Sequence, residues 1–507
     1  MSGWLDARGF PRLARAEEVR EMDRQAMQQF GLPGRVLMEL AGAGTAEHIA
    51  SRLGGLAGAR VSVLCGAGNN GGDGYVIARH LADRGHEVTC LSLLAVDGLS
   101  GDARANADLW LALGGEVRAL DAGLDVSVME ALARADVIVD ALFGTGLGRP
   151  LEGPAAALVE ACAQCERPLK VAVDVPSGVD ASCGAVRGAA FQADLTTTYG
   201  LDKVGLHTSP GAERAGEVVV VPIGLPRAVV EAVGASARLA TESAVARLVP
   251  RRAATGHKGT FGHVGVLGGF AGKEGAAQLA ALGALRVGAG LATWASPEKA
   301  PPRAAEIMHH DLREEPTHRP DVWVVGPGLG QDHAGRRALA WAWEAGRPLV
   351  VDADALNLLA QEGDLARARG HVITPHPREA ARLLGTTVEA VEGDRLAALE
   401  ALVARSEAIV VLKGARTLVG APGEPAVVFD RPTPALAVGG AGDVLAGAAG
   451  GLMAQGLGAW EAAIVAVWIH GSAGARCGRG RGERGALASE IADALPFVLG
   501  ELLAGWS

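Results

Sequence analysis

Residues 65–81 read CGAGNNGGDGYVIARHL and directly follow the apolar run at residues 61–64. This order predicts a strand, a tight glycine turn and the beginning of a helix. The glycines satisfy the G-x-G-x-x-G spacing of a dinucleotide-binding turn, in which backbone N–H groups approach a pyrophosphate. Such a turn does not require Asn69, Asn70 or Asp73. Because their oxygen atoms suit a cation or a sugar hydroxyl, the stretch predicts an α/β domain with an additional polar site.

The alternation of strand-like and helical segments continues along almost the whole chain. Ala- and Leu-rich helical patterns, such as residues 153–165 and 275–287, separate the apolar runs. Several runs are continuously apolar, which is typical of parallel strands covered by helices on both faces. The sequence therefore predicts the α/β class, with two doubly wound, three-layer domains. Further strands are predicted at residues 88–94, 137–142, 170–173, 218–221, 264–267, 322–325, 349–351, 371–373 and 409–412.

A domain boundary is predicted near residues 223–245, which carry prolines and charges but no strong strand signal. After it, HKGTFGHVGVLGG at residues 257–269 starts the α/β pattern again. We therefore expect one domain at residues 1–225 and a second at residues 226–507. The two halves show no repeat, which favours a fusion of two different units over a duplication.

Composition and charge argue against several classes of protein. A chain of 507 residues exceeds the usual size of one hydrophobic core. Its net charge of −10 and aromatic content of 4% argue against a nucleic-acid partner. We find neither a secretory signal nor an apolar run of about 18 residues, so no membrane span is expected. Six cysteines do not form a disulfide framework, and we expect a cytoplasmic protein.

Polar residues follow three predicted strands of the first domain. Asn69, Asn70 and Asp73 follow the first, Asp140 comes directly after the apolar residues 137–139 of the second, and Asp174 follows the third. Ligands bind at the carboxyl ends of strands in open parallel sheets, so these residues predict one site built from three loops. A single carboxylate at such a position is often only a helix cap. A Rossmann-type oxidoreductase is a rival interpretation, but no hydride-transfer motif is evident.

These loops resemble the three signature loops of the NAD(P)H-hydrate epimerases. The matching stretches are GAGNNGGDGYVIARHL at residues 66–81, DALFGTGLGRP at 140–150 and DVPSGVD at 174–180. The segments at residues 19–42 and 196–206 resemble the family too, and the latter carries Lys203 at the position of a family lysine.

The resemblance implies that the loops hold a hydrated dinucleotide. Asp174 would contact the damaged ring and transfer a proton. Asn70, Asp140 and Ser177 would bind a potassium ion, which as a hard cation takes oxygen ligands. The substrate-binding residues implied are Asn69, Asn70, Gly71, Gly72, Asp73, Gly144, Thr145, Gly146, Leu147, Gly148, Arg149, Pro150 and Asp174.

The second domain contains a dense glycine cluster in PALAVGGAGDVLAG, residues 434–447. The cluster predicts a turn that opens a helix near Asp443, whose free N–H groups and dipole form an anion site. A carboxylate beside an anion site can take a hydroxyl proton during phosphoryl transfer, although Asp443 could also be a simple cap. No Walker A motif is present, so a nucleotide must bind by another scheme.

The second domain resembles the ribokinase-like fold and, within it, the NAD(P)H-hydrate dehydratases. The matching stretches include VVGPGLG at residues 324–330, VVDADALNLL at 350–359, ITPHPREAARLLG at 373–385 and VLKGARTLV at 411–419. Arg378 replaces the usual glycine of its motif, and Thr433 stands where asparagine is common.

This resemblance implies a catalytic base, Asp443, and two sets of binding residues. Ala276, Gly328, His376 and Asp443 would contact the hydrated dinucleotide. Magnesium and either ADP or ATP would serve as cofactor and co-substrate. The nucleotide-binding residues implied are Lys413, Gly414, Ala415, Arg416, Thr417 and Gly442.

Together the two resemblances imply a bifunctional nicotinamide-nucleotide repair enzyme. The first domain would interconvert the R and S hydrates of NADH and NADPH, and the second would dehydrate the S form. A vitamin-precursor kinase of the same fold is one alternative, and a non-catalytic nucleotide-binding first domain is another. We also expect a homo-oligomer without nucleic-acid or membrane partners.

Overall fold

The computed structural model describes residues 4–120, 124–270, 272–297, 304–314 and 319–505. The chain divides into two compact units, Arg12–Ala237 and the residues from Arg238 onward. The short segment Ala7–Pro11 groups with the second unit.

The first unit alternates strands and helices. Its strands are β1 (Arg12–Ala14), β2 (Arg60–Cys65), β3 (Glu87–Ser92), β4 (Val117–Ala119), β5 (Val137–Ala141), β6 (Leu169–Val173), β7 (Leu195–Tyr199), β8 (Asp202–Lys203) and β9 (Glu217–Val221). Its helices are α1 (Ala16–Phe30), α2 (Gly34–Leu53), α3 (Asn69–Asp83), α4 (Gly101–Ala112), α5 (Val126–Arg134), α6 (Gly153–Ala163), α7 (Ala212–Ala215) and α8 (Arg227–Val233).

The main sheet of the first unit has the order β4-β3-β2-β5-β6-β7-β9, and its neighbouring strands are parallel. Alternate residues of β2 enter different cores: Val63 packs in one cluster and Leu64 in another, on the opposite face. This arrangement confirms the predicted layered α/β architecture. The strand order reverses between β2 and β5, which opens a crevice at their carboxyl ends.

The second unit repeats the alternation with different connections. Its strands are β10 (Ala237–Leu239), β11 (His263–Leu267), β12 (Leu291–Ser296), β13 (Ile307–Asp311), β14 (Val322–Val325), β15 (Leu349–Val351), β16 (Val372–Ile373), β17 (Ile409–Leu412), β18 (Leu418–Ala421) and β19 (Glu424–Val428). Its helices are α9 (Glu242–Ala246), α10 (Glu274–Arg286), α11 (His333–Glu344), α12 (Asp354–Glu362), α13 (Pro377–Leu384), α14 (Val388–Gly393), α15 (Arg395–Ser406), α16 (Ala441–Ala454), α17 (Ala459–Arg481) and α18 (Ala488–Ala504).

The second sheet runs β13-β12-β11-β14-β15-β16-β17-β18-β19-β10. Strands from β13 to β17 are parallel, and β17, β18 and β19 pair antiparallel. The order reverses between β11 and β14, so a second crevice opens there. The short strand β10 was not predicted, because three residues are too few to show a strand period and they depend on pairing beside β19.

Across the described parts of the chain, none of the helices combines the length and the hydropathy needed to traverse a bilayer.

Candidate functional site

Helix α3 begins at the crevice of the first unit. Its first residue is Asn69 and its N-cap is Gly68, so the residues predicted in the glycine turn, Asn69–Asp73, are the first five residues of the helix. The asparagines are therefore helical rather than loop residues. The first N–H groups of a helix lack intrahelical partners, and this end of α3 can receive an anion.

The glycines around this turn allow two loops to touch. A Cβ atom on Gly66 would lie 1.9 Å from the carbonyl oxygen of Leu142, and one on Gly71 would lie 1.8 Å from the carbonyl oxygen of Gly66. No side chain fits at either position. Gly66 therefore lets the loop after β2 approach the loop after β5, and Gly71 lets the start of α3 pack against Gly66, reasons that the spacing alone did not reveal.

Asp174 lies directly after β6 and forms a buried ion pair. Its carboxylate Oδ1 accepts a hydrogen bond of 2.7 Å from Lys203 Nζ, and Lys203 is fully buried. Asp174 has a φ of 66°, a left-handed conformation that is uncommon for residues other than glycine. Such conformations cluster at functional sites, where the surrounding structure holds them.

Gly144 brings Asn70 and Asp174 together. A Cβ atom built on it would lie 3.0 Å from Asn70 Oδ1 and 3.0 Å from Asp174 Oδ2. The loop from Gly144 to Pro150 is otherwise mostly exposed, and Arg20 of α1 donates a hydrogen bond of 3.1 Å to the carbonyl oxygen of Thr145. The predicted substrate loops thus converge on one polar surface.

Asp140 and Ser177 form a buried cluster of oxygen atoms. Ser177 Oγ donates a hydrogen bond of 2.7 Å to Asp140 Oδ1, and the Ser177 N–H donates one of 2.8 Å to Asp140 Oδ2. Burial raises the pKa of Asp140 to about 6, against these hydrogen bonds. The Asp140 carboxylate and the Ser177 hydroxyl supply oxygen atoms, the donor type that a hard cation takes, whereas Asn70 is placed beside Gly144 rather than in contact with this pair.

Two further carboxyl groups face this site. Burial raises the pKa of Asp23 to about 6 and that of Asp73 well above its usual range, with repulsion from Asp174 adding to both shifts. Asp23 Oδ1 is buried without a hydrogen-bond partner. No strand-end pattern pointed to Asp23, because it lies on α1, far along the chain from the three loops.

Helix α16 begins in the predicted glycine cluster of the second unit. It starts at Ala441, its N-cap Gly440 has a φ of 92°, and Asp443 lies in its first turn without capping it. The cluster therefore positions a helix N-terminus with free N–H groups, as the sequence predicted.

Two cavities open beside this helix start. The larger, of about 640 Å³, is lined by Lys413, Gly414, Ala415, Thr417 and Gly442, together with Asp430, Arg431 and Trp468. The smaller, of about 480 Å³, is lined by Ala276, Gly328 and Asp443, together with Lys273, Asp354 and Glu379. Apart from Arg416 and His376, the residues predicted for the nucleotide and those predicted for the dinucleotide line different cavities, with Gly442 and Asp443 adjacent.

Lys413 reaches past the nucleotide-side cavity toward Asp443. Its Nζ lies 2.6 Å from Asp352 Oδ1 and 3.9 Å from Glu379 Oε2. Burial and the nearby Asp352 raise the pKa of Asp443 to about 7, whereas Lys413 lowers it. A carboxylate with such a pKa is suited to accept a proton near neutral pH.

Two predicted binding residues point elsewhere. His376 is the N-cap of α13, where its Nδ1 accepts hydrogen bonds from the N–H groups of Arg378 and Glu379. It does not line the smaller cavity, although its Nε2 lies 3.4 Å from Glu379 Oε1. The buried side chain of Arg416 forms an ion pair with Asp430 and does not line the larger cavity. Hydrogen bonds therefore account for the position of the His376 side chain, and the ion pair accounts for that of Arg416.

Within the described ranges, His, Cys, Asp and Glu side chains form no group of three or more suited to a metal ion. Magnesium commonly keeps several waters and binds through one or two carboxylates plus substrate phosphates, so its site need not be a complete protein cage.

The chain matches known proteins over both units. A family model described as NAD(P)H-hydrate dehydratase matches residues 264–497, and one described as YjeF-related protein N-terminus matches residues 34–205. A crystal structure of the ADP/ATP-dependent NAD(P)H-hydrate dehydratase of Bacillus subtilis, co-crystallized with ATP/Mg2+, is 28% identical, covers 52% of this chain and 97% of its own, and has a TM-score of 0.46.

Full-length relatives carry both halves. The bifunctional NAD(P)H-hydrate repair enzyme Nnr of Moorella thermoacetica is 38% identical over 97% of this chain and 97% of its own. The Escherichia coli protein of the same name is 38% identical over 96% of this chain and 93% of its own. Because this identity extends over nearly the whole length of both proteins, the chain belongs to the family of bifunctional NAD(P)H-hydrate repair enzymes.

Proposed function

We propose that the first unit interconverts the R and S hydrates of NADH and NADPH, and that the second unit dehydrates the S hydrate at the expense of ADP or ATP. The observation that carries this proposal is the separation of the two sites. Each lies at the carboxyl ends of parallel strands in its own unit, and each has its own candidate proton-transfer carboxylate, Asp174 or Asp443. Two chemically different steps need two such sites.

In the first unit, Asp174 is the proposed proton-transfer group. The ion pair with Lys203 and the left-handed backbone fix its Oδ1, while Oδ2 faces Gly144 and Asn70. The first turn of α3 and the loop from Gly144 to Pro150 would hold the pyrophosphate and sugars. Helix N-termini and loops rich in free N–H groups favour phosphate.

Potassium is the proposed cation of the first unit, with Asn70, Asp140 and Ser177 as its ligands. The mutual contacts and complete burial of Asp140 and Ser177 support this assignment. A bound cation would supply positive charge beside an interior carboxylate, which is costly to bury without compensation.

In the second unit, the ring hydroxyl of the S hydrate would be phosphorylated and the phosphate then eliminated. The hydroxyl oxygen forms a bond to phosphorus, the phosphorus–oxygen bond to the nucleotide breaks, and the hydroxyl proton passes to Asp443. The nitrogen lone pair of the ring then assists departure of phosphate, and the neighbouring carbon loses a proton to restore the dihydropyridine. Gly442 and the first turn of α16 would stabilise the phosphoryl charge, and magnesium would enter with the nucleotide phosphates.

The test is incubation of each purified hydrate epimer with the protein, followed by chromatography. Without nucleotide, either epimer should yield the same mixture. With ADP or ATP, both should disappear as NADH or NADPH forms. Persistence of the R hydrate would contradict the epimerase assignment, and persistence of the S hydrate with both nucleotides would contradict the dehydratase assignment.

We also propose that the protein is a homo-oligomer of a reducing compartment. Exposed apolar side chains at the end of α4 and on α5, among them Leu113 and Val126, support self-association, and all six cysteines are free. Light scattering after size exclusion would measure the mass in solution, and the mass of a single chain would contradict the proposal.

A further inference from the structure

The ion pair of Asp352 and Lys413 joins two strand ends in the interior of the second unit. Asp352 follows β15 and is 1% exposed, and its Oδ1 lies 2.6 Å from Lys413 Nζ, just after β17. Removing two charges from water carries a large desolvation penalty, so a buried ion pair is weak evidence for stability. Because the pair lies between two cavities, we expect it to act in the chemistry rather than in stability.

The backbone beside Asp352 is arranged to direct two carboxylates in different directions. Ala353 has a φ of 51°, the left-handed conformation that favours glycine. On one side of it, Asp352 contacts Lys413. On the other, Asp354 pairs with Lys273 at 3.1 Å and accepts a hydrogen bond of 2.9 Å from the Gly330 N–H. Such strain is typical of functional sites.

Lys413 lies where the two cavities meet. A Cβ atom on Gly442 would lie 3.5 Å from Lys413 Nζ and 3.8 Å from Asp352 Oδ2. Lys413 and Gly442 line the larger cavity, whereas Glu379, 3.9 Å from Lys413 Nζ, lines the smaller one with Asp443. A phosphoryl group moving from nucleotide to dinucleotide would pass this point.

Building on the proposed function, we propose that Lys413 is a catalytic group of the dehydratase site and that Asp352 is its positioning residue. The Lys413 ammonium stabilises the negative charge on the phosphoryl oxygens while the bond to the nucleotide breaks and the bond to the ring oxygen forms. The hydroxyl proton passes to Asp443. A preorganised cation acts more strongly in such a site than in water, because it does not reorganise during the reaction.

The charges around the pair give this proposal a second readout. Asp352 raises the pKa of Asp443, and Lys413 lowers it, in addition to the larger effect of burial. Removing Asp352 should therefore lower the pKa of Asp443, and removing Lys413 should raise it. The other charged or titratable groups facing this region are Lys273, Asp354, His376, Glu379, Arg382 and His470.

The experiment compares Lys413→Met and Asp352→Asn with the wild-type chain in the dehydration of the S hydrate. We expect kcat to fall by about 10²–10³-fold in Lys413→Met and the KM for nucleotide to change only a few-fold. Asp352→Asn should also lower kcat. The acidic limb of the kcat–pH profile should move to lower pH in Asp352→Asn and to higher pH in Lys413→Met. Lys413→Arg, which keeps the charge, should retain more activity than Lys413→Met.

Asp364→Asn is the matched control, because Asp364 is exposed on the same unit and loses the same charge. Circular dichroism and thermal unfolding of each variant report whether the second unit, which carries the substitutions, has folded. A rise in nucleotide KM at unchanged kcat would overturn the proposal in favour of binding alone, as would equal pH profiles in all three proteins. Failure of the wild-type chain to dehydrate the S hydrate would instead contradict the proposed function.

Discussion

Lys203 donates one hydrogen bond of 2.7 Å to Asp174 Oδ1 and another of 2.7 Å to the carbonyl oxygen of Tyr199. The ammonium therefore connects the end of β6 with the end of β7, in the interior of the first unit. Because Lys203 is fully buried, it cannot exchange these partners for water. The pair fixes the carboxylate that the proposed epimerisation requires.

Asp174→Ala should leave the R hydrate unconverted. Loss of a group that transfers protons costs about 10²–10⁴-fold in rate. The S hydrate should still be consumed with ADP or ATP, since Asp443 belongs to the other unit. Chromatography of both epimers over time checks this result, and equally rapid loss of both would show that Asp174 is not needed. Lys203→Met should impair the same step.

Gly144→Ala should slow epimerisation with little effect on stability. The new methyl group would lie 3.0 Å from oxygens of both Asn70 and Asp174, so these side chains must move from their present positions. Gly66→Ala is the contrasting variant, because its methyl group would meet the Leu142 carbonyl oxygen at 1.9 Å and should lower the Tm. The same Tm and the same rate of epimerisation in the two variants would contradict this distinction.

Potassium should stabilise the first unit through Asp140. The pKa of Asp140 is about 6 in the folded chain against 3.8 ordinarily, so its neutral form favours folding below about pH 4. This contribution to the free energy of unfolding, about 3 kcal/mol, is lost as the pH rises to about 6. At pH 7, the Tm should be higher in potassium chloride than in choline chloride of equal ionic strength. Asp140→Asn should remove this difference, and a difference that persists would place the ion elsewhere.

Asp443→Asn should abolish nucleotide-dependent dehydration and leave epimerisation intact. Asparagine keeps the shape of the side chain but cannot accept the hydroxyl proton, so we expect a loss of about 10²–10⁴-fold. Formation of NADH from the S hydrate measures the effect. Dehydration at the normal rate would mean that Asp443 serves only the local structure.

The rate of dehydration should also fall as the pH drops below about 7. Burial and Asp352 raise the pKa of Asp443 to about 7, and only the ionised form is a base. The rate should therefore fall about tenfold per unit well below pH 7. A kcat–pH profile measured with saturating nucleotide and S hydrate checks this, and a rate independent of pH from 5 to 8 would exclude Asp443 as the base.

Local sequence patterns were enough to predict the class of fold and the places where ligands would be sought. Apolar runs at β2, β5 and β6 predicted buried parallel strands, and the polar residues that follow them had to meet at one edge of the sheet. The glycine cluster before α16 predicted a helix N-terminus in the same way. These predictions depend on local periodicity and turn chemistry, which are written in consecutive residues.

Which of these side chains meet, and what they contact, depends on how the strands are ordered in the folded chain. The pairs Asp174–Lys203 and Asp352–Lys413 are separated by 29 and 61 residues, and each depends on strand order and register. The carboxyl group of Asp23, on a helix that no strand-end rule selects, lies close enough to Lys203 and Asp174 to feel their charges. His376 and Arg416, expected at ligands, have protein partners instead. Burial and long-range contact set these charges and conformations, and neither can be read from spacing along the chain.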